Sequence, residues 1–172
     1  MELVDLYDEN RMPLGKIAGR HAPKGAGEYR MVVHVCIFNS QGRLLIQQRS
    51  KEKTAWTNLW DVSAAGGVDA GETSRQGAER EVREELGCDL DLSGARPAVT
   101  VNFAGGFDDF FVVTHDLRIE ELTLQKEEVS DVRWATLEEA LSMLEDGRFI
   151  PYPPSFLHFL FEARGTFDFS GK

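Results

Sequence analysis

The chain has 172 residues, of which 42% are hydrophobic, and this length and composition suit a globular fold with a full core. Its 19 basic and 29 acidic residues give a net charge of −10, which argues against binding nucleic acid or an anionic membrane through a positive field. No apolar run approaches the roughly 18 residues of a membrane span, and residues 1–5 lack a signal-sequence pattern, so we expect a single cytoplasmic domain over residues 1–172.

The first half of the chain alternates apolar or β-branched segments with turn residues, a pattern that predicts strands. These predicted strands cover residues 3–7, 13–17, 31–38, 43–49 and 60–64. Residues 20–28 contain Gly, Pro and Lys and are predicted to form a loop. A glycine-rich turn then leads into a helix over about residues 73–86, which Gly87 can end as a left-handed cap.

The second half of the chain continues with three predicted strands and two predicted helices. The strands cover residues 97–103, 109–117 and 129–135, and residues 104–108 join the first two. Thr136 and Glu139 form a capping-box pair for a helix that runs to about Leu144, with Gly147 just beyond it. A strongly apolar helix over residues 155–163 follows three prolines. Strands interleaved with a few helices predict an α/β fold whose mixed sheet is covered on both faces.

The helix at residues 73–86 gathers three glutamates, Glu81, Glu84 and Glu85, beside an apolar stripe formed by Ala78, Val82 and Leu86. Like charges at these spacings cost roughly 0.2–0.5 kcal/mol per pair, so a helix built only for stability would spread them. One interpretation is a solvated acidic face that nearby arginines partly neutralise. The interpretation that we favour is a site for hard divalent cations, because glycines and further charged residues flank the cluster at fixed offsets.

Residues 66–88 resemble the Nudix box, whose pattern is G-x5-E-x7-R-E-U-x-E-E-x-G-U with U apolar. The matching residues are Gly66, Glu72, Arg80, Glu81, Val82, Glu84, Glu85 and Gly87, while Cys88 fills the final slot, which is usually Ile, Leu or Val. The order of the predicted elements also looks like that of the Nudix α/β/α sandwich. The resemblance therefore implies an α/β fold of this kind with a mixed β-sheet.

The resemblance also implies a role for each residue of the box. Glu81, Glu84 and Glu85 would be ligands of Mg²⁺ or Mn²⁺, with the carbonyl of Gly66 or Gly67 as a further ligand. One of the three glutamates, or an acidic residue from a later loop, would deprotonate the attacking water.

The same resemblance implies a supporting ion pair and candidates for an additional acidic metal ligand. Arg80 would pair with Glu72 and fix the geometry between loop and helix. The candidates for an additional acidic ligand are Asp108, Asp109, Glu127 and Glu128, although each of them alone is better interpreted as a solvated turn carboxylate.

The activity that the resemblance implies is metal-dependent hydrolysis of a diphosphate bond in a small molecule, of the type nucleoside diphosphate linked to X. The sequence does not determine which diphosphate is cleaved. The family includes many dimers, so a homodimer stays open as well. An inactive ligand-binding domain is a further alternative, and the intact glutamates argue against it because a pure sensor has no need to keep their like-charge cost.

Three segments in the first third of the chain, residues 4–10, 34–39 and 48–50, resemble the Nudix branch that includes isopentenyl-diphosphate isomerase and bacterial hydrolase-like relatives. That enzyme's catalytic cysteine falls at Ala65, and its metal-binding histidines fall at Gly67, Arg30 and Pro23, so none is retained. We therefore do not expect an isomerase. Arg49 and Lys53 lie where this branch anchors a diphosphate, and a solvated loop after a strand is an equally good interpretation of that pair.

Several aromatic and histidine side chains have two possible uses. Trp56, Trp60, Phe107 and Tyr152 could stack on a base or line an apolar site, but in a core of this size we expect each of them to serve packing. His34 lies in the middle of a predicted strand and is expected to be a packed side chain. Cys36 and Cys88 are expected to be free thiols without a catalytic role.

Overall fold

The computed structural model describes residues 2–165, which form nine strands, three α-helices and one short 3-10 turn at Ile119–Glu121. The strands are β1 (Leu3–Tyr7), β2 (Pro13–Gly19), β3 (Arg30–Phe38), β4 (Leu44–Arg49), β5 (Trp60–Asp61), β6 (Ala64–Gly67), β7 (Val99–Phe103), β8 (Gly106–Thr114) and β9 (Val129–Ala135). The helices are α1 (Ser74–Leu86), α2 (Leu137–Glu145) and α3 (Pro154–Glu162). Residue 1 and residues 166–172 lie outside the described residues, so a single domain over 1–172 stays a prediction.

A mixed sheet of seven strands forms the centre of the described chain. Its main path is β5-β4-β3-β8-β7, and β6 and β9 add to β3 and β4 respectively. The central pair β3–β8 is parallel, whereas the other pairs of this sheet are antiparallel. Strands β1 and β2 form a separate antiparallel hairpin. The expected mixed sheet of an α/β fold is therefore confirmed.

Alternating side chains of β3 build two hydrophobic cores, one on each face of the sheet. Val33, Val35 and Ile37 join the core that contains Ala78, Val82 and Leu86 of α1. Cys36 and Phe38 point to the other face and join the core that contains apolar residues of α2 and α3. The apolar stripe predicted for α1 is thus its buried face, and helices cover both sides of the sheet as expected.

Side-chain caps fix where the helices begin and end. Thr73 and Gln76 form a capping box at the start of α1, and Gly87 ends this helix in the left-handed region with φ of 66°. The capping box predicted for Thr136 and Glu139 is present at the start of α2. These local signals explain why the predicted helix boundaries agree with the structure to within about two residues.

Two predicted strands differ from the structure by more than two residues at an end or in their continuity. The segment predicted as one strand over 60–64 is split, because β5 pairs with β4 and β6 pairs with β3. Ser63 lies at the break, where its hydroxyl donates to the Leu45 carbonyl and accepts from the Ile37 amide. Strand β8 begins at Gly106 and ends at Thr114, earlier at both ends than predicted, and a side chain at Gly106 would clash with the Arg30 carbonyl.

A partly buried ion pair attaches the N-terminal hairpin to the central sheet. Arg11 adopts a positive φ of 63° in the turn between β1 and β2, and its guanidinium donates to both carboxylate oxygens of Asp109. Thr100 of β7 donates to the same carboxylate. The described part of the chain contains no helix that is long and apolar enough to cross a membrane.

Replacement of Gly87 by alanine should destabilise the fold more than replacement of Gly71, although both glycines have positive φ. A Cβ at Gly87 would lie 2.6 Å from the Thr123 carbonyl oxygen, whereas a Cβ at Gly71 meets nothing within 4 Å. We expect Gly71→Ala to cost about 1–2 kcal/mol from backbone strain and Gly87→Ala to cost about 2–4 kcal/mol. Urea denaturation measures both, and equal losses would contradict the close packing of Thr123 on the end of α1.

Candidate functional site

The glutamate face of α1 packs against the glycine-rich strand β6. Glu81 and Glu85, one helical turn apart, are only 7% and 3% exposed. A side chain at Gly66 would clash with the Glu81 carboxyl group, so only glycine allows this close approach. Glu85 Oε2 accepts hydrogen bonds from the Ala65 amide at 3.1 Å and from Gln47 Nε2 at 3.0 Å. The fold therefore holds two buried carboxylates side by side against backbone.

Arg80 joins the loop before α1 to the glutamates of the helix. Its Nε donates to Glu72 Oε1 at 2.9 Å, and its Nη2 donates to the Gly67 carbonyl at 2.7 Å. Its Nη1 donates to Glu81 Oε1 at 2.9 Å and to Glu84 Oε2 at 3.1 Å. Burial alone would lower the pKa of Arg80, but the hydrogen bonds that it donates to the carboxylates, chiefly to Glu72, raise it. The pairing of Arg80 with Glu72 that the resemblance implied is present, and Arg80 is a permanent cation between three carboxylates.

Burial dominates the electrostatics of the two inner glutamates. Desolvation, followed by the negative charge of Glu81, raises the pKa of Glu85 to about 7. The hydrogen bonds that the Ala65 amide and Gln47 donate act in the opposite direction and lower it. Burial also raises the pKa of Glu81, although its hydrogen bond with Arg80 opposes the shift. Glu84 differs from both, since its side chain is 51% exposed. The ionised forms of Glu81 and Glu85 are therefore costly in this structure and would be stabilised by a further cation.

The donor set of α1 fits a hard divalent cation, which prefers carboxylate and carbonyl oxygens. Within residues 2–165, no three acidic, histidine or cysteine side chains already converge on one point. The reason is visible in the hydrogen bonds, because Arg80 engages Glu81 and Glu84 while Gln47 and Ala65 hold Glu85. A cation bound at Glu81 and Glu84 would compete with the guanidinium of Arg80.

A cleft of about 370 Å³ opens on the other side of Gly66. Its wall includes Ala65 and Gly66 of β6, and its cationic lining residues are Arg20, Arg30, Arg49 and Lys53. Arg49 and Lys53 were predicted from the sequence as substrate-binding residues, whereas Arg20 and Arg30 were not. No local signal marked these two arginines, because they reach the cleft only through the pairing of distant strands.

Arg49 and Lys53 both line the cleft and both have acidic partners. Arg49 Nη1 lies 3.8 Å from Asp61 Oδ2, and its guanidinium also donates to the Ala55 carbonyl. Lys53 forms an ion pair with Glu128. Their location suits the predicted contact with a substrate phosphate, and that contact stays a prediction.

The four acidic residues considered as additional ligands have different surroundings. Asp108 and Asp109 lie within β8, so their interpretation as solvated turn carboxylates is wrong. Asp109 is buried and paired with Arg11, while Asp108 Oδ1 lies 2.7 Å from Nδ1 of His34. Glu127 is exposed in a turn, as predicted, and Glu128 is occupied by Lys53.

The aromatic residues also divide between core and cleft. Phe107 is buried in the core, and Trp60 packs under Arg133, so packing is confirmed for both. Trp56 is exposed at the cleft, and Tyr152 lines the cleft while its hydroxyl donates to Asp61 Oδ1 at 2.8 Å. For Trp56 the expectation of core packing is wrong.

Comparison with known proteins gives three findings. The family model described as NUDIX domain matches residues 28–156. An uncharacterized Nudix hydrolase of Listeria monocytogenes is 51% identical over 166 residues, which cover 96% of this chain and 97% of the relative. A crystal structure of a Deinococcus radiodurans protein superposes with a TM-score of 0.71 at 25% identity and covers 94% of this chain and 99% of the other.

The similarity extends to the isomerase branch. An isopentenyl-diphosphate Δ-isomerase of Klebsiella pneumoniae is 30% identical over 148 residues, which cover 83% of this chain and 80% of the relative. The resemblance of the first third of the chain to this branch therefore has a counterpart among the relatives.

Glu85→Gln should stabilise the metal-free protein at alkaline pH. The pKa of Glu85 is raised from 4.5 to about 7, so the folded state binds more protons than the unfolded state between these values. Wild-type stability therefore falls as the pH rises from about 4.5 through 7, and glutamine removes this loss. We expect the variant to gain on the order of 1–3 kcal/mol at about pH 8 and little at about pH 4.

Urea denaturation with a chelator at both pH values measures this gain. Glu84→Gln is the matched control, because Glu84 is half-exposed and its substitution should change stability by about 1 kcal/mol or less at either pH. A Glu85→Gln variant that is less stable than the wild type at about pH 8 would contradict the desolvation of this carboxylate.

Proposed function

Since the chain belongs to the Nudix hydrolase family, whose members hydrolyse phosphorus-containing acid anhydrides, we propose that it is a Mg²⁺-dependent pyrophosphohydrolase, with Mn²⁺ as the alternative metal. Its substrate is a small-molecule diphosphate of the type nucleoside diphosphate linked to X. The observation that carries the proposal is the buried pair Glu81 and Glu85 on α1, which meets a cationic cleft at Gly66.

Two buried carboxylates one turn apart are costly unless a cation offsets their charge. Glu81 and Glu85 would hold the metal, with Glu84 and the carbonyl of Gly66 as additional oxygen ligands. When bound, Mg²⁺ polarises the phosphoryl oxygens and lowers the pKa of a coordinated water. One of the three glutamates accepts the proton of the attacking water.

The reaction is a hydrolysis that needs no further reactant. The water oxygen forms a bond to one phosphorus, and the bridging P–O bond breaks so that the other phosphate leaves with the bridging oxygen. The proton passes to a glutamate carboxylate. Arg80 and Glu72 do not face the cleft lining, so we assign them to positioning, because their hydrogen bonds hold the β6–α1 connection in place.

The cleft provides the positive charge that the protein as a whole lacks. The net charge of the chain is −10, yet Arg20, Arg30, Arg49 and Lys53 all line this one cleft. Opposite the acidic face of α1, these cations would bind the phosphates of the substrate, with Arg49 and Lys53 as the proposed substrate-binding residues. The two free cysteines accord with a reducing compartment, and we propose a cytoplasmic location.

The chain lacks the catalytic cysteine that the alternative activity, isomerisation, would require. Ala65, which occupies the position of the isomerase cysteine, lines the cleft, so a cysteine there would have faced the substrate. Cys36 is buried in the core and its pKa is raised well above the ordinary value by burial, while Cys88 follows the end of α1. Hydrolysis is therefore the activity that the site supports best.

Loss of either inner glutamate should abolish most hydrolysis. We expect Glu81→Gln and Glu85→Gln each to lower kcat/KM by at least about 100-fold, because each removes a charged metal ligand without changing side-chain volume. Phosphate release after phosphatase coupling, measured on a panel of diphosphate compounds with Mg²⁺ and with chelator, gives the rates.

Glu79→Gln is the matched control on the same helix. Glu79 accepts a hydrogen bond from the Leu92 amide, which glutamine can still accept, so hydrolysis should stay at the wild-type rate. Circular dichroism verifies that each variant is folded. Unchanged hydrolysis in both Glu81→Gln and Glu85→Gln would refute the proposed metal site, and hydrolysis of no compound by the wild type would favour the inactive ligand-binding domain.

A further inference from the structure

One face of the central sheet connects the cationic cleft to a second cavity. Register pairs across β6, β3, β8 and β7 place four residues in one row, namely Gly67, Val32, Asp108 and Val101. The neighbouring row contains Ala65, His34, Phe110 and Val99. Adjacent strands are about 4.8 Å apart, so each row spans about 14 Å from the cleft at β6 to the edge strand β7.

The second cavity has a volume of about 410 Å³ and lies over β8 and β7. Val101 and Phe110 form its floor, while Tyr152 and Phe156 contribute from α3 and the segment before it. Phe110 meets the ring of Phe156 edge-on, with centroids 4.9 Å apart and planes at 84°. Tyr152 lines both this cavity and the cationic cleft, so the two are neighbours. Such aromatic walls favour a flat apolar guest.

Asp108 adds one fixed hydrogen-bond acceptor to this aromatic wall. Its Oδ1 is held by Nδ1 of His34, whose ring stacks on Phe110 with centroids 4.5 Å apart and planes at 8°. Among the described residues, Oδ2 has no hydrogen-bond partner. A purely aliphatic guest would desolvate this carboxylate without compensation, whereas a ring with an N–H group would donate to it.

We propose that this cavity binds the organic group of the substrate, and that this group is a flat heteroaromatic ring whose N–H donates to Asp108, as in an amino-bearing nucleobase. The inference rests on the proposed function, since it places the diphosphate of the same molecule in the cationic cleft. The two rows from β6 to β7 then bind one extended substrate, with its phosphates in the cationic cleft at β6 and its ring at Val101.

Equilibrium binding tests this assignment without requiring hydrolysis. Isothermal calorimetry in Mg²⁺ compares four ligands that cannot be hydrolysed, namely methylenediphosphonate and its esters with adenosine, with purine riboside and with dimethylallyl alcohol. We expect the adenosine ester to bind at least about tenfold more tightly than methylenediphosphonate, because stacking of a base on aromatic side chains gives a gain in affinity of this size. Purine riboside lacks only the amino group, so its ester should bind more weakly than the adenosine ester.

Val101→Trp fills the cavity from a partly exposed position on the edge strand, so the fold should tolerate it. It should lower the affinity for the adenosine ester by about tenfold or more relative to that for methylenediphosphonate. Asn102→Trp is the control, because Asn102 is an exposed neighbour of Val101 on the same strand and lies outside the cavity lining. It should leave the affinities unchanged.

Asp108→Val tests the acceptor. The affinity that the adenosine ester gains from its amino group, relative to the purine riboside ester, should disappear in this variant. A ring ester that binds no better than methylenediphosphonate, a dimethylallyl ester that binds best, or an amino-group gain that survives Asp108→Val would overturn the assignment.

The phosphate-release assay on hydrolysable diphosphates is run in parallel on the same wild-type protein. Ring-dependent binding without hydrolysis would contradict the proposed function and keep the cavity assignment. Hydrolysis by a protein whose ligand binding does not depend on the ring would contradict the cavity assignment and keep the proposed function.

Discussion

The structure of the site depends on the packing of Glu81 against the backbone of Gly66. No other residue at position 66 leaves room for that carboxylate, so the glycine is what allows α1 to present its acidic face directly to β6. Arg80 stabilises the resulting concentration of negative charge by donating to Glu72, Glu81 and Glu84 and to the Gly67 carbonyl. A single guanidinium thus joins the loop, the strand and the helix into one rigid unit.

The central strand β3 then relates this unit to the rest of the molecule. Its odd-numbered residues pack under α1, and its even-numbered residues Val32 and His34 face the cleft. Because β6 and β8 flank β3, the cationic cleft and the aromatic cavity lie over neighbouring strands of the same sheet. The carboxylates of Glu81 and Glu85 are therefore supported on the helix side of the sheet, while the cleft residues Val32 and His34 face the opposite side.

Features that depend on local sequence could be predicted, and features that depend on distant pairing could not. The ends of α1, the left-handed Gly87 and the capping box of Thr136 are determined by residues within one turn. The position of Arg20 in the cleft depends instead on the folding of the N-terminal hairpin against the sheet. The split of the predicted strand at residues 60–64 likewise depends on the hydrogen-bond partners of the Ser63 hydroxyl, which lie on β3 and β4.

Asp108 and Asp109 show why adjacent residues of one type can differ in function. Strand alternation sends their side chains to opposite faces of β8, a consequence of period two that would have followed from placing both residues inside the strand. Asp109 meets Arg11 and fastens the hairpin, whereas Asp108 meets His34 on the face that carries the cleft and the cavity. The pair of Asp109 with Arg11 stabilises the fold, whereas the pair of Asp108 with His34 lies where the cationic cleft and the aromatic cavity meet. Strand β8 begins at Gly106, three residues before the predicted start at Asp109, and this difference was enough to hide that the two aspartates point to opposite faces.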